Sequence, residues 1–297
     1  MANLKDIRTR ISSVKSTQQV TNAMKMVSAA KLRKAQDAII QIRPYAEKLN
    51  EILSNISSNL DSDIANKYAV RKKRERILII AITSNRGLCG GFNSNVIKKT
   101  SEILTQVYPE YYKHGLVDII AIGKKGVDGF KSKGIKVTKS YLDIYDKLDI
   151  ASTNEIAQGV MDQYSEGGYD HVELVYNQFV NAALQDITSE QFLPIKPAET
   201  PEVKSKRFRH RLVYIFEPSM QEIADKIIPQ ALKIQFYKAF LDSVASEHGA
   251  RMTAMHKATD NASELIRELK LQYNQARQAS ITREILEIVS GANALSS

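Results

Sequence analysis

The sequence predicts an α/β domain inserted between two long helices that pair as a coiled coil. Three observations carry this reading. Residues 3 to about 60 hold no glycine and one proline, Pro44, and their apolar residues follow a helical spacing. From about Glu217 to Val289 apolar positions recur every seven residues. Between these stretches, short continuous apolar runs alternate with helix-like segments, the pattern of a mainly parallel sheet. The chain has 297 residues, enough for about two domains.

On a heptad, the seam of the first helix reads Leu4, Ile7, Ile11, Val14, Gln18, Thr21, Lys25, Ser28, Leu32, Ala35, Ile39, Ile42, Ala46, Leu49, Leu53 and Ile56. Both ends are apolar, but the four positions from Gln18 to Ser28 are polar. The apolar residues there shift to Val20, Met24, Met26 and Val27, as in a helix that meets more than one neighbour. Pro44 should bend or interrupt the helix, because proline lacks the N–H and clashes with the preceding turn.

The central section opens on Ile77-Leu78-Ile79-Ile80-Ala81-Ile82, a run suited to a strand buried on both faces. Val117-Asp118-Ile119-Ile120-Ala121-Ile122 is a second strand, and the alternating His171-Val172-Glu173-Leu174-Val175-Tyr176 a third. Helix-like stretches cover about 92–107, 124–132 and 153–165, and Gln185 to Ile195 adds an antiparallel edge strand.

The last section carries two parallel stripes. One is Ile227, Ile234, Leu241, His248, Met255, Ala262, Leu269 and Ala276. The other is Ala231, Lys238, Ala245, Met252, Thr259, Ile266 and Tyr273. Pro218 suits a first helical turn, and only Pro229 and Gly249 interrupt. About 70 residues in one helix would reach roughly 100 Å, against some 40–50 Å for a compact domain, so the helix should protrude as a rod from a knob. Such a helix needs a partner, which the first section supplies, and the heptad spacing predicts a left-handed twist. The resulting division is a shaft over 1–60 and 217–297, a basic linker over 61–76 and an α/β domain over 77–212.

Several function classes find little support. No run of 18 apolar residues occurs, so no segment reads as a membrane-spanning helix. The N-terminus has no apolar core of a secretory signal and reads as mature structure. Cys89 is the only cysteine, which excludes an internal disulfide and a cysteine-based zinc site. His114, His171, His210, His248 and His256 show no metal-binding spacing. The formal charge of +9 implies a negatively charged partner, and the excess gathers at Arg71 to Arg76 and Lys204 to Arg211. Both runs read as solvated linkers; nucleic-acid binding is the sharper alternative, but no accompanying motif supports it.

The segment Thr83-Ser84-Asn85-Arg86-Gly87-Leu88-Cys89-Gly90-Gly91-Phe92-Asn93 sits between strand and helix, where phosphates often bind. It fits neither GxGxxG nor GxxxxGK[ST], and no lysine follows the glycines. A tight turn, with Gly87, Gly90 and Gly91 allowing positive φ or close packing, is the simpler reading; a nucleotide-binding α/β protein remains the alternative. Cys89 lacks a histidine near it in sequence and reads as a buried structural residue rather than a nucleophile. Near the C-terminus, Arg277, Ser280 and Glu284 fall at i, i+3 and i+7. They share one helix face and can reach a single partner through charge-assisted hydrogen bonds.

These last residues lead into a recognisable signature. Ile281-Thr282-Arg283-Glu284-Ile285-Leu286-Glu287-Ile288-Val289-Ser290-Gly291-Ala292-Asn293-Ala294 resembles the C-terminal motif of the gamma subunits of F-type ATP synthases: Ile-Thr, one residue, Glu, two residues, an acid, three residues, Gly-Ala. Ala258-Thr259-Asp260-Asn261-Ala262, Tyr273 to Ser280, Ile7-Arg8, Thr21 to Val27, Arg43-Pro44-Tyr45 and the central 83–93 loop are similar to the same family, in the same order along the chain. The resemblance implies a Rossmann-like central domain and terminal helices that form an antiparallel coiled coil inside a ring of three alpha and three beta subunits. It also implies contact with the epsilon subunit and the membrane rotor ring (the c-ring). The site would be the cytoplasmic face of a bacterial inner membrane, held peripherally through the complex. The shaft would couple ion-driven rotation to nucleotide affinity in the beta subunits, with no catalysis, cofactor or metal of its own. By residue-by-residue correspondence, Arg277, Gln278, Thr282 and Glu284 match positions that touch beta-subunit catch loops, and Met24 and Lys25 match a position facing a beta-subunit lever loop. The paired cysteines of chloroplast forms are absent. The run from Lys204 to Arg211 would help dock the rotor ring or polar lipid headgroups.

Overall fold

A computed structural model describes residues 4–57, 68, 75–145, 150–195 and 220–296. The basic run from Lys204 to Arg211 lies outside them, and of the run from Arg71 only Glu75 and Arg76 lie inside. The elements in chain order are helix α1 (Leu4–Ser57), strand β1 (Ile77–Ile82), α2 (Phe92–Glu102) running into a π turn at Ile103–Val107, α3 (Pro109–Lys113), β2 (Val117–Ile122), α4 (Lys124–Ser132), β3 (Lys139–Tyr141), α5 (Ile150–Ser165), β4 (His171–Phe179), β5 (Gln185–Leu193) and α6 (Met220–Ser296). The chain divides into two compact units. One comprises Met1–Ala29 with Arg251–Ser297, the other Ala30–Ala250.

The larger unit is built on a five-stranded sheet in the order β3-β2-β1-β4-β5. All neighbours run parallel except β4 and β5, which form an antiparallel pair. The centre of the sheet is β1, and all six of its residues are buried. Its unbroken apolar sequence follows from that position: a central parallel strand has no solvent face. Ile77, Ile79 and Ala81 join Ile119 and Ala121 of β2, Val96 and Ile97 of α2 and Phe130 of α4 in one apolar cluster. Helix α6 packs on β4 and β5, where the Phe192 and Phe236 rings lie 5.9 Å apart and Ser246 donates to the Asn177 carbonyl at 3.0 Å.

The prolines and the helical glycine do not interrupt the helices. Helix α1 passes through Pro44 and α6 through Pro229. Pro44 and Ile40 both face solvent, so water can satisfy the Ile40 carbonyl that proline leaves without a donor. Gly249 has a packing role instead. A Cβ there would sit 3.2 Å from the Ala182 Cα in the β4–β5 turn, so glycine lets the helix pass close to that turn. Helix α6 also continues beyond Val289 and Gly291 to Ser296.

In the smaller unit the heptad seam runs straight through its polar stretch. Thr21 and Ser28 are buried, whereas Val20 (58% exposed), Met26 (60%) and Val27 (57%) face outward. The expected shift of the apolar stripe therefore does not occur on the side that faces α6. Side-chain hydrogen bonds satisfy the polar seam residues instead: Gln18 Nε2 donates to Ser263 Oγ at 2.7 Å, and the Thr21 and Thr259 hydroxyls lie 2.9 Å apart.

Candidate functional interface

The register of the two helices in the smaller unit can be read from three pairs. Arg8 donates to the Tyr273 hydroxyl at 3.2 Å, Gln18 to Ser263, and Thr21 meets Thr259. As one number rises the other falls, so the helices are antiparallel, and each pair adds to 280 or 281. That register places the first described residue of α1, Leu4, opposite residues 276–277 of α6. The stretch from Gln278 to Ser296 lies beyond the first described residue of α1 and is roughly 28 Å long at 1.5 Å per residue.

This projecting end is amphipathic in an unusual way. Arg277, Gln278, Thr282 and Glu284 are all exposed, and so are Ile281, Ile285, Leu286, Ile288 and Val289. At about 100° per residue, Arg277 and Glu284 flank one side of the Ile281–Ile285–Ile288 stripe, and Gln278 and Thr282 flank the other. An apolar stripe between two polar rows can be enclosed by a partner that also takes up hydrogen bonds. Met24 and Lys25 are half-buried on α1. The same register puts them opposite residues 255–257, about 30 Å along the pair from Arg277. The structure thus brings the four C-terminal candidates together and leaves Met24 and Lys25 as a separate position. The exposed apolar end is the feature that sequence reasoning missed. Its signal was the run of apolar residues Ile281, Ile285, Leu286, Ile288 and Val289 near the end of the second stripe, whose solvent exposure the sequence does not show.

The 83–93 loop of the larger unit is filled by its own polar groups. Asn93 Oδ1 accepts the Ser84 N–H at 2.9 Å, and Asn93 Nδ2 donates to Ser84 Oγ at 2.8 Å and to Cys89 Sγ at 3.2 Å. Cys89 is buried. The first turn of α4, where an anion would bind, has acceptors already. Asn85 Oδ1 takes the Lys124 N–H at 2.9 Å, the Ser84 carbonyl that of Lys125 at 3.0 Å, and Thr83 Oγ1 that of Gly126 at 2.8 Å. Gly123, at φ +96, is required because a Cβ would fall 2.3 Å from the Thr83 carbonyl oxygen. Of the three glycines expected to permit unusual backbone, only Gly90 has positive φ (+58), and Leu88 takes +62 beside it. At the sheet's order reversal, where α/β folds hold nucleotides, Asn177 of β4 donates to the Phe92 carbonyl at 3.1 Å and its own carbonyl accepts from Ser246 of α6. The long helix therefore occupies the edge of that crevice.

A cleft of about 140 Å³ lies within the larger unit, lined by Ile39, Ile42, Arg43, Ala46, Gln178, Phe179, Lys238 and Asp242. Burial lifts the Asp242 carboxyl to about 6, against the opposing pull of Lys238 and Arg43 and with a further push from Glu190. Among the described residues no cluster of His, Cys, Asp and Glu could hold a metal ion, and no helix is long and apolar enough to cross a membrane.

Comparison with known proteins covers the whole chain. A family model described as ATP synthase matches residues 3–295. The ATP synthase gamma chain of Flavobacterium psychrophilum is 54% identical over 295 residues, spanning 99% of both chains. That of Cytophaga hutchinsonii is 50% identical over the same span. Among solved structures, a chain of the Euglena gracilis mitochondrial ATP synthase rotor aligns with a TM-score of 0.66 at 20% identity, covering 94% of this chain and 98% of that one. A chain of the Tetrahymena thermophila central stalk and c-ring aligns at 0.57 and 24% identity, covering 80% and 99%. At these identities the structural likeness is one of fold: an α/β sheet carried between long terminal helices.

Proposed function

We propose that this chain, which belongs to the family of ATP synthase gamma chains, is the central rotor shaft of such an enzyme, turned by ion flow through a membrane ring. It is non-catalytic itself. Its work is to present a different face to each catalytic subunit in turn, and differential contacts of this kind are what shift a partner's nucleotide affinity. Its partners are the alpha and beta subunits, an epsilon subunit and the membrane c-ring, and it sits peripherally on the cytoplasmic side of a bacterial inner membrane.

The observation that carries this reading is the end of α6 beyond Gln278. Ile281, Ile285, Leu286, Ile288 and Val289 are exposed on a helix end that lies beyond the described part of α1. Burial of such side chains is worth about 1.5–3 kcal/mol each, so the segment favours enclosure by other chains. The flanking Arg277, Gln278, Thr282 and Glu284 give the enclosing surface polar contacts that can form and break as the shaft turns. Met24 and Lys25 supply a second contact level along the shaft.

The test is assembly with the alpha and beta subunits of the same source. Wild-type chain should assemble one per three alpha–beta pairs and raise ATPase activity. The Arg277→Ala/Glu284→Ala double change should lower that activity about tenfold, the equivalent of one lost charge-assisted hydrogen bond. A double variant that assembles and works at the wild-type rate would remove these residues from the coupling contact. A wild-type chain that neither assembles nor stimulates would overturn the shaft reading itself.

A further inference from the structure

The α4–β3 edge of the sheet carries a charge pattern that neither the shaft nor the paired helices use. Residues 124–141 contain six lysines, Lys124, Lys125, Lys131, Lys133, Lys136 and Lys139, and one carboxylate, Asp128; the next acid is Asp143. All six lysines are exposed. Lys124 and Lys131 lie seven residues apart on one face of α4. Lys136 precedes β3, and Lys139 opens that strand, whose partner on one side is β2 and which ends the sheet on the other. Lys133 is turned back onto α2, donating to Ser101 Oγ at 3.3 Å. Beside the lysines, Leu142 is 39% exposed, and the Tyr141 ring lies 4.9 Å beneath the Lys139 ammonium.

Lysines on a sheet edge also serve to discourage strand addition, and Lys139 alone would need no other explanation. That role does not account for Lys124 and Lys131, which sit on a helix. The kind of cation is informative. Arginine dominates the buried cores of protein interfaces and the bidentate recognition of phosphate, whereas lysine is depleted there. A set made only of lysines, each a hydrated point charge on a flexible stem, suits a diffuse anionic surface. Nucleic acid would call for stacking platforms or an open helix N-terminus. Here Tyr141 lies under Lys139, and the first-turn amides of α4 are bonded to Thr83, Ser84 and Asn85. A tyrosine and an exposed leucine among lysines are what the headgroup level of a bilayer accommodates.

We infer that the α4–β3 edge, through Lys124, Lys131, Lys136 and Lys139, is an electrostatic docking surface for an anionic lipid bilayer. The contact is weak per residue and independent of position along the membrane. It goes beyond the shaft reading and does not depend on it.

The test measures binding of the full chain to vesicles of phosphatidylcholine with and without phosphatidylglycerol, at about 0.1 M salt, where the screening length is roughly 10 Å. Wild type should bind the anionic vesicles, and the Lys124→Glu/Lys131→Glu/Lys136→Glu/Lys139→Glu variant should lose roughly six-hundredfold or more, at about fivefold per lysine. The whole chain is basic, so a charge-matched control is needed. Reversal of Lys15, Lys31, Lys34 and Lys257, all exposed on the long helices, should leave most of the binding intact. Equal losses in both variants would reduce the effect to net charge and overturn the proposal. So would binding to neutral vesicles, or capture by polyglutamate in preference to anionic vesicles, which would point to an acidic protein partner. The edge variant should still stimulate ATPase on assembly with alpha and beta subunits. Failure of the shaft reading would show in that assay, and failure of this one only in the vesicles.

Discussion

The sheet of the larger unit and the helix pair of the smaller one are held together by different means. In the sheet, every residue of β1 is fully buried, and apolar side chains from α2 and α4 close one face over it. In the helix pair, burial is a single line, and much of that line is small or polar: Thr21, Ser28, Ala262 and Arg251 are buried along with Ile7, Met255 and Leu269. A sheet core of this kind resists local change because each side chain touches many others. A one-line seam transmits twist along its length while having little apolar area to lose. The sheet is the more densely buried part of the chain, and the paired helices leave their outer faces free for contact.

The largest expected effect breaks the sheet. Phe130 of α4 is completely buried in the cluster over β1 and β2. Phe130→Ala should cost about 3–5 kcal/mol of stability, the sum of lost transfer energy and the cavity left behind. Hydrogen exchange would localise the loss: amides of β1 and β2 should lose protection while those of residues 4–29 keep theirs. Equal loss in both regions would mean that the two are not separately stabilised. In the seam, Leu269→Ala should cost less, about 2 kcal/mol, because two helices can close over a gap more easily than a sheet can.

The next effect has the opposite sign. Asp242 is only 5% exposed, and its carboxyl is lifted from 3.8 to about 6, chiefly by burial. A raised folded value means that the folded chain holds its proton longer than the unfolded chain does. Stability therefore falls as pH rises from about 4 to about 6 and stays at the lower level above that. Asp242→Asn should remove this dependence and stabilise the chain at neutral pH by up to about 2–3 kcal/mol, since each tenfold change in proton affinity is worth roughly 1.4 kcal/mol. The attraction of Lys238 and Arg43 for the carboxylate works against that gain. Urea midpoints at pH 4 and pH 7 decide the matter: a gain of the same size at both would show that ionisation is not its source.

Much of this architecture was legible in the sequence because each element repeats one physical signal. The runs at 77–82 and 117–122 became strands of those bounds: the first is apolar and buried throughout, as a central strand requires, and the second is apolar and buried from Ile119 to Ile122. The heptad of α1 predicted the seam even where its residues are polar. What the sequence obscured was the role of exceptions. Pro44 and Gly249 read as breaks because their cost is visible in the sequence, but their surroundings, open solvent for one and the Ala182 backbone for the other, are not. Val20, Met26 and Val27 read as a displaced core because apolar character alone does not say which neighbour it serves. The candidate residues at 277–284 came from motif correspondence. The exposed apolar stripe between their two rows required the register of both helices to be seen.

The smallest effect sharpens the comparison at the polar heart of the seam. The Thr21 and Thr259 hydroxyls lie 2.9 Å apart across the pair, and each is also within reach of a carbonyl of its own helix, Gln18 at 3.0 Å and Met255 at 2.8 Å; with one proton each, the hydroxyl that donates across the pair gives up its own carbonyl while the other keeps its bond. Valine has nearly the shape of threonine without its hydroxyl. Thr21→Val or Thr259→Val alone should cost about 1 kcal/mol, because the remaining hydroxyl keeps a bond to its own helix but loses its partner in a partly buried position. The double change replaces both hydroxyls with methyl groups in contact and should recover most of that loss, giving a coupling energy of about 1.5 kcal/mol in a double-mutant cycle. If the two single costs simply add, the hydroxyls do not interact, and the seam is held by shape alone. If they couple as expected while the double variant is at least as stable as wild type, the polar seam is there for something other than stability. An apolar seam would then be the stronger one.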